Sequence, residues 1–383
     1  MKAKLEVDQE ALIADFMTLV SIGSLSREEA NVAAYIRGVV EELGCTVEED
    51  DAMDAVNGTS GNLIVRVAGD DSLPVVLLMA HMDTVAPGNG VTPIRHDDRI
   101  TSDGKTILGA DDKAGVASIL HALRVLRRTK EKHPPLEIVF TVCEEVGLLG
   151  AKALDRNRLK AKYGFCLDSG GSLGFVVAEG PAQAKLHARV YGKAAHAGVA
   201  PEKGISAIVV AAEAIAAMPL GRVDARTTAN VGKIQGGHAT NIVCDFVEFF
   251  AEARSLDAER LNVQQAAMSS ALHDAALKYG VRVDAQWTAS YPALHLPETS
   301  FLRTIITNAM KKLDLTPTFG PTGGGSDANV VAGKGIPIAN LAVGYQQIHT
   351  LEEWIALRDL TLASELVLEI IRESANHKSV NHS

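Results

Sequence analysis

Apolar residues recur at helical spacing over residues 9–21 and 28–43, and Gly44 stands where the second helix would end. After that the pattern tightens. NLIVRVAG (62–69) and LPVVLLMAHMD (73–83) are short apolar runs of strand type. A helix is predicted over 114–127, then a buried strand in EIVFTV (137–142), a helix near 149–155 and a strand ending in CLDSG (166–170). Strands that alternate with helices build an α/β layer on a mixed, largely parallel sheet flanked by helices.

The style changes near residue 182. AKLHARVYGK alternates as a half-exposed strand should, GISAIVVAAEAIAAM reads as a helix, and TANVGKIQGG and FVEFFAEARSLD are two more alternating strands. DAERLNVQQAAMSSALHDAALKYG gives a second helix closed by Gly280, and VRVDAQWTASY a last strand. That β-α-β-β-α-β order is ferredoxin-like α+β. Past Pro297 the first style returns, with a helix over 298–312, a strand in IPIANLAVG and a long helix from Glu352 to Glu373. The expected division is therefore 1–181 and 294–383 for one α/β domain and 182–293 for a domain inserted into it. A chain of 383 residues is long enough for two cores.

Composition narrows the class. A net charge of -10, without a basic run, argues against a nucleic-acid partner. No apolar segment suits a signal peptide or a membrane span. Cys45, Cys143, Cys166 and Cys244 are scattered among apolar neighbours, which suits free thiols in a reducing compartment. The expectation is a soluble cytoplasmic protein.

Polar chemistry collects where the strands of the α/β domain end. His81 and Asp83 follow one strand, Asp111 and Asp112 precede a helix, Glu144 and Glu145 follow the third run, Asp168 the fourth, and His349 the last. Ligands of open α/β sheets gather at those ends. Singly, each residue has an ordinary role: a core histidine, a helix cap, a complement to a helix dipole. Together, converging carboxylates repel one another and need protons or cations. Two histidines with several carboxylates suit a divalent metal of the zinc, cobalt or manganese type.

HMDTV, GADDKAG, CEEVG, LDSG and the late IHT resemble, in order and spacing, the metal motifs of the M20 metallopeptidase family. GKAAHAG and TGGGSDAN extend the match along almost the whole chain, nearest to its peptidase T-like, tripeptide aminopeptidase branch. The resemblance implies two divalent ions, zinc or else cobalt or manganese. His81 and Asp168 would hold one, Glu145 and His349 the other, and Asp111 would bridge them. Asp83 would hydrogen-bond His81, and Glu144 would be the general base toward the attacking water. The Asp111–Asp112 peptide is typically cis in this family.

In the inserted lid and dimerisation domain, His196 would donate to the oxyanion, and Asn241 and Arg254 would touch substrate. Arg254 could equally be a strand arginine paired across the small sheet. Gly324, Gly325 and Ser326 would border the substrate cleft. No P-loop lysine accompanies that glycine run, and Ser326 or Asp327 could cap the helix behind it. The implied activity is hydrolysis of short peptides from one end, with tripeptide aminopeptidase first. Alternatives are a carboxypeptidase or dipeptidase, an N-acyl-amino-acid amidohydrolase, and a non-catalytic metal-binding protein. One departure stands out: Gly323 occupies the place of an arginine in the tripeptide aminopeptidases. A homodimer through the inserted domain is expected from the Ala-, Val- and Ile-rich helix.

Overall fold

Val76–His81 is a strand buried at all six positions, as an uninterrupted apolar run requires of a strand covered on both faces. In the computed structural model, which describes residues 6–377, it lies in a parallel block. Leu136–Thr141 pairs with it on one side and Tyr163–Ser169 on the other. Ile338–Ala342 runs parallel beyond Tyr163–Ser169. Leu63–Val67 and Thr46–Glu49 extend one edge in antiparallel sense, and Phe175–Gly180 adds antiparallel to Ile338–Ala342. The sheet is mixed with a parallel centre, so four strand ends share one edge.

Gln9–Ser21 and Leu357–Asn376 pack on Ala110–Thr129. Leu12, Phe16, Leu120, Phe140, Phe165 and Val367 are each fully buried, and each such side chain contributes roughly 1.5–3 kcal/mol relative to exposure.

The chain divides into two units. One comprises the described residues up to Ala178, His295–Gly320 and those from Ser326 onward; the other is Glu179–Leu294 with Pro321–Gly325. The second unit has its own antiparallel sheet, with Thr227–Gly236, Phe246–Ser255, Ala182–Tyr191 and Arg282–Tyr291 as neighbours in that order. This is the ferredoxin-like order, carrying a two-residue strand, Gly221–Arg222, at its edge. Helices Ala207–Ala217 and Ala258–Tyr279 pack on this sheet and on each other. Phe246–Ser255 alternates strictly, burying Val247, Phe249, Ala251 and Ala253. Asp257 caps the second helix by accepting from Glu259 and Arg260 N–H, and Gly280 closes it at φ 66°.

Two local expectations change. The last helix begins at Leu357 and not at Glu352, because Trp354–Ala356 is a strand paired with Arg99–Thr101. Phe175–Gly180 is a further strand, short enough between its flanking glycines to carry no periodic signal.

Candidate metal centre

The candidate side chains lie at the exits of parallel strands, except Asp111, which comes from the start of a helix. His81 ends Val76–His81, and Asp168 is the penultimate residue of the strand Tyr163–Ser169. Glu144 and Glu145 follow Leu136–Thr141 after a turn at Cys143, whose φ of 53° is left-handed. Glu29 holds that turn by accepting the Cys143 N–H at 3.0 Å. Asp111 and Asp112 open Ala110–Thr129 with non-helical backbone and a cis peptide between them. Gly115 lets this helix approach: a Cβ there would stand 2.4 Å from Asp112 Oδ1 and 2.7 Å from the Leu167 carbonyl. His349 follows Ile338–Ala342 in a loop, at φ 62°.

These side chains converge. His81 Nε2 lies 3.3 Å from Asp111 Oδ1 and 3.8 Å from Asp168 Oδ1. His349 Nε2 lies 2.9 Å from Glu145 Oε1 and 3.5 Å from Asp111 Oδ2. His81, Asp111 and Asp168 form one group with ligand atoms all within 4.8 Å of one another, and Asp111, Glu145 and His349 form a second. Asp111 belongs to both. A third such group joins His81, Glu144 and Glu145.

Backbone and side-chain partners fix the orientations. His81 Nδ1 donates to the Asp83 carbonyl at 2.9 Å. A carbonyl only accepts, so Nδ1 carries a proton and Nε2 is the nitrogen turned toward the cluster. The hydrogen bond expected between Asp83 and His81 thus runs through the Asp83 carbonyl, with the carboxylate Oδ1 3.6 Å from Nδ1. The Asp83 carboxylate instead accepts from the Glu144 N–H at 2.8 Å, the Glu145 N–H at 3.2 Å and Ser26 Oγ at 2.6 Å. It thereby shapes the turn that separates the two glutamates.

Burial raises the cost of this much negative charge. Glu144 and Asp168 are pushed well up, first by burial and then by neighbouring carboxylates, with His81 opposing. Asp111 is held low: burial works against ionisation, but His349 and His81 outweigh it. The Asp111 and Glu145 carboxylates lift His349 to about 10. Asp168 Oδ2 is buried and finds no hydrogen-bond donor among the described residues. Two imidazoles, at least three carboxylates and an orphaned buried oxygen fit divalent cations.

The sequence reading passed over several supporting residues. Asn340 brackets Asp168, accepting its N–H at 3.1 Å and donating to its carbonyl at 2.7 Å. A buried Asn inside an apolar strand was the available signal. Asp327, read in the sequence only as a candidate helix cap, is buried and receives a short hydrogen bond from Thr141 Oγ1. Lys113, the lysine of GADDKAG, is 1% exposed and donates to Ser24 Oγ at 2.7 Å. Glu353, four residues beyond His349, is also buried.

His196, Asn241 and Arg254 belong to the second unit. His196 is exposed, and its Nδ1 accepts from the Gly198 N–H at 3.1 Å, which leaves Nε2–H as a donor in the neutral ring. Ala197 N–H donates to the Asn241 carbonyl at 2.9 Å, tying the two loops together. Arg254 grips Glu252 through Nε at 2.9 Å and Nη2 at 3.2 Å and reaches the Gly323 carbonyl at 3.3 Å. A Cβ on Gly325 would fall 2.3 Å from the Tyr291 ring, whereas Gly324 faces open space. Ser326 is the N-cap of Asp327–Gly333, with Asn329 Oδ1 accepting the Ser326 N–H at 3.0 Å.

Two candidate cation-binding groups that share one carboxylate, at one edge of a parallel sheet, suit a pair of divalent cations. The profile of Peptidase family M20/M25/M40 matches residues 77–373. This chain belongs to that family and is a metallopeptidase of its peptidase T-like kind. The Bacillus subtilis protein YqjE is 45% identical over 369 residues, covering 96% of this chain and 100% of that protein. The crystal structure of aminopeptidase PepT from Bacillus cereus aligns with a TM-score of 0.89 at 48% identity, over 97% of this chain and 100% of that one. A tripeptidase from Staphylococcus aureus aligns at TM-score 0.93 and 38% identity, over 97% and 100%. Among the described residues, no helix is long and apolar enough to cross a membrane.

Proposed function

We propose that this protein is a two-metal aminopeptidase that removes the N-terminal residue of short peptides, tripeptides first among them. The placement of one Asp111 oxygen toward each histidine carries this reading, because a carboxylate so disposed can bridge two cations. The likeness to an aminopeptidase and a tripeptidase supports the choice of substrate. His81, Asp111 and Asp168 would hold one ion, and Asp111, Glu145 and His349 the other. The nitrogen and oxygen donor set favours Zn2+, with Co2+ or Mn2+ as alternatives.

Two divalent cations held by these residues would supply acidification of water and polarisation of the scissile carbonyl. Glu144 is left as the general base. Burial and Asp168 raise its carboxyl above the ordinary carboxylate range, and a carboxylate so raised is a stronger acceptor for the water's proton, which it can return to the leaving amine. Asp83, accepting from both glutamate N–H groups, fixes the turn that carries the base and the neighbouring ligand. His196 Nε2–H is the proposed donor to the oxyanion of the tetrahedral intermediate. Asn241 and Arg254 are proposed to bind the peptide, and Arg254 would exchange Glu252 for a peptide carboxylate. Gly324, Gly325 and Ser326 are the proposed turn along the bound chain.

A tripeptide panel tests the polarity. Rapid hydrolysis of free tripeptides and negligible hydrolysis of their N-acetylated forms is expected. Equal rates on both would replace the aminopeptidase reading with the acyl-amino-acid or carboxypeptidase reading that Gly323 also accommodates. We further propose a homodimer through the second unit, whose helix Ala207–Ala217 leaves Ile208 and Val209 48% and 49% exposed. All four cysteines are free, and a cytoplasmic location is proposed on that ground.

A further inference from the structure

Residues 108–111 carry Asp111 into the site without help from a regular element. Gly109 has φ 76°, and Asp111 and Asp112 are non-helical, so the first N–H groups of this segment have no intrahelical acceptor. One side chain takes three of them. Glu353 Oε2 accepts from the Leu108 N–H at 2.9 Å and the Gly109 N–H at 2.8 Å, and Oε1 accepts from the Asp111 N–H at 3.0 Å. Glu353 is 1% exposed.

The same residue closes the loop that carries His349. Its N–H donates to the Thr350 carbonyl at 3.3 Å, and the adjoining Trp354 exchanges backbone hydrogen bonds of 2.9 and 3.2 Å with Gln346. Glu353 therefore ties the Asp111 segment to the His349 segment, the two that meet at 3.5 Å in the site.

We propose that Glu353 is a positioning residue for metal binding, which sets the separation of Asp111 and His349 through the backbone of residues 108–111. Its side-chain hydrogen bonds among the described residues go to backbone N–H groups and not to a proposed ligand side chain. The proposal rests on the reading of Asp111 and His349 as metal ligands. It goes beyond that reading by assigning their spacing to one carboxylate. Glutamine at 353 would turn an amide N–H toward backbone N–H groups, so at least one of the three contacts becomes donor against donor.

Co2+ titration of the metal-free protein, followed by visible absorption and by competition with a chelator, tests this. Glu353→Gln is expected to bind Co2+ about 10–100-fold more weakly, the usual loss when a ligand's supporting partner is removed. Glu137→Gln is the control. Glu137 is a buried carboxylate that accepts from the Lys160 and Ala161 N–H groups, both at 2.8 Å, in a loop without proposed ligands. It is expected to lower the Tm while leaving Co2+ affinity unchanged. Wild-type affinity in Glu353→Gln, with tight Co2+ binding in the parent, overturns the positioning role alone. Failure of the parent to bind Co2+ overturns the metal reading itself. Should Glu353→Gln not fold, Glu353→Asp, which withdraws the carboxylate by one methylene, carries the same expectation and the same overturning result.

Discussion

His349 Nε2 stands 3.5 Å from Asp111 Oδ2, while the other oxygen of Asp111 faces His81. Without a cation, protons must answer this concentration of carboxylates. The Asp111 and Glu145 side chains hold the His349 imidazolium up to about 10. Near neutral pH the metal-free ring is therefore charged, and it must lose its proton before it can donate a lone pair. Metal binding is expected to release at least one proton near pH 7, and this release should fade as the pH rises through about 10. Calorimetric titration in two buffers of different ionisation enthalpy measures it. Binding heats independent of the buffer would contradict the assignment of His349.

Glu144 and Glu145 are adjacent but differently engaged. Glu145 meets His349 at 2.9 Å, and Glu144 is buried beside His81 and Asp168. Glu144→Gln should keep the metal stoichiometry of the parent and lose about 10²–10⁴-fold in kcat. Parallel loss of metal and activity would instead make Glu144 a ligand, as its grouping with His81 and Glu145 permits.

How far such roles can be read in advance depends on where the signal lies. The uninterrupted run at 76–81 and the alternation at 246–255 state their burial outright, since side-chain period and covered faces are local properties. The residues brought together at the strand exits were legible because the topology of an α/β sheet gathers them. Asp83 shows the limit. The hydrogen bond that the resemblance implies between Asp83 and His81 is made by the Asp83 carbonyl, while its carboxylate serves the 144–145 turn. Which oxygen of a residue is used depends on chain segments about sixty residues away, and no spacing rule encodes it. Glu353 and Asn340 escaped for a similar reason, because they act on backbone groups, which have no sequence.

Outside the first unit, His196 offers a test of the proposed oxyanion donor. It is exposed and its Nδ1 is engaged by Gly198, so truncation should cost little stability. His196→Ala is expected to reduce kcat by about 10²–10³-fold with unchanged metal content and Tm. An effect confined to KM would point to substrate binding alone.

Asn340 connects stability to the site in a way that two substitutions can separate. Its amide reads the Asp168 backbone from both sides and also donates to Ser326 Oγ at 3.0 Å. Asn340→Ala strands the half-buried Asp168 N–H and carbonyl, which costs about 1–3 kcal/mol for each unsatisfied group that water cannot reach. Asn340→Asp keeps an acceptor for the N–H but sets a carboxylate oxygen against the Asp168 carbonyl and adds charge beside a carboxylate cluster. The aspartate variant should therefore be the less stable of the two without metal, and should recover more on metal addition, because cations offset the added charge. Thermal melts of both variants, with and without Zn2+, give the four values required. Equal recovery in the two variants would mean that the amide serves the fold without sensing the charge of the site.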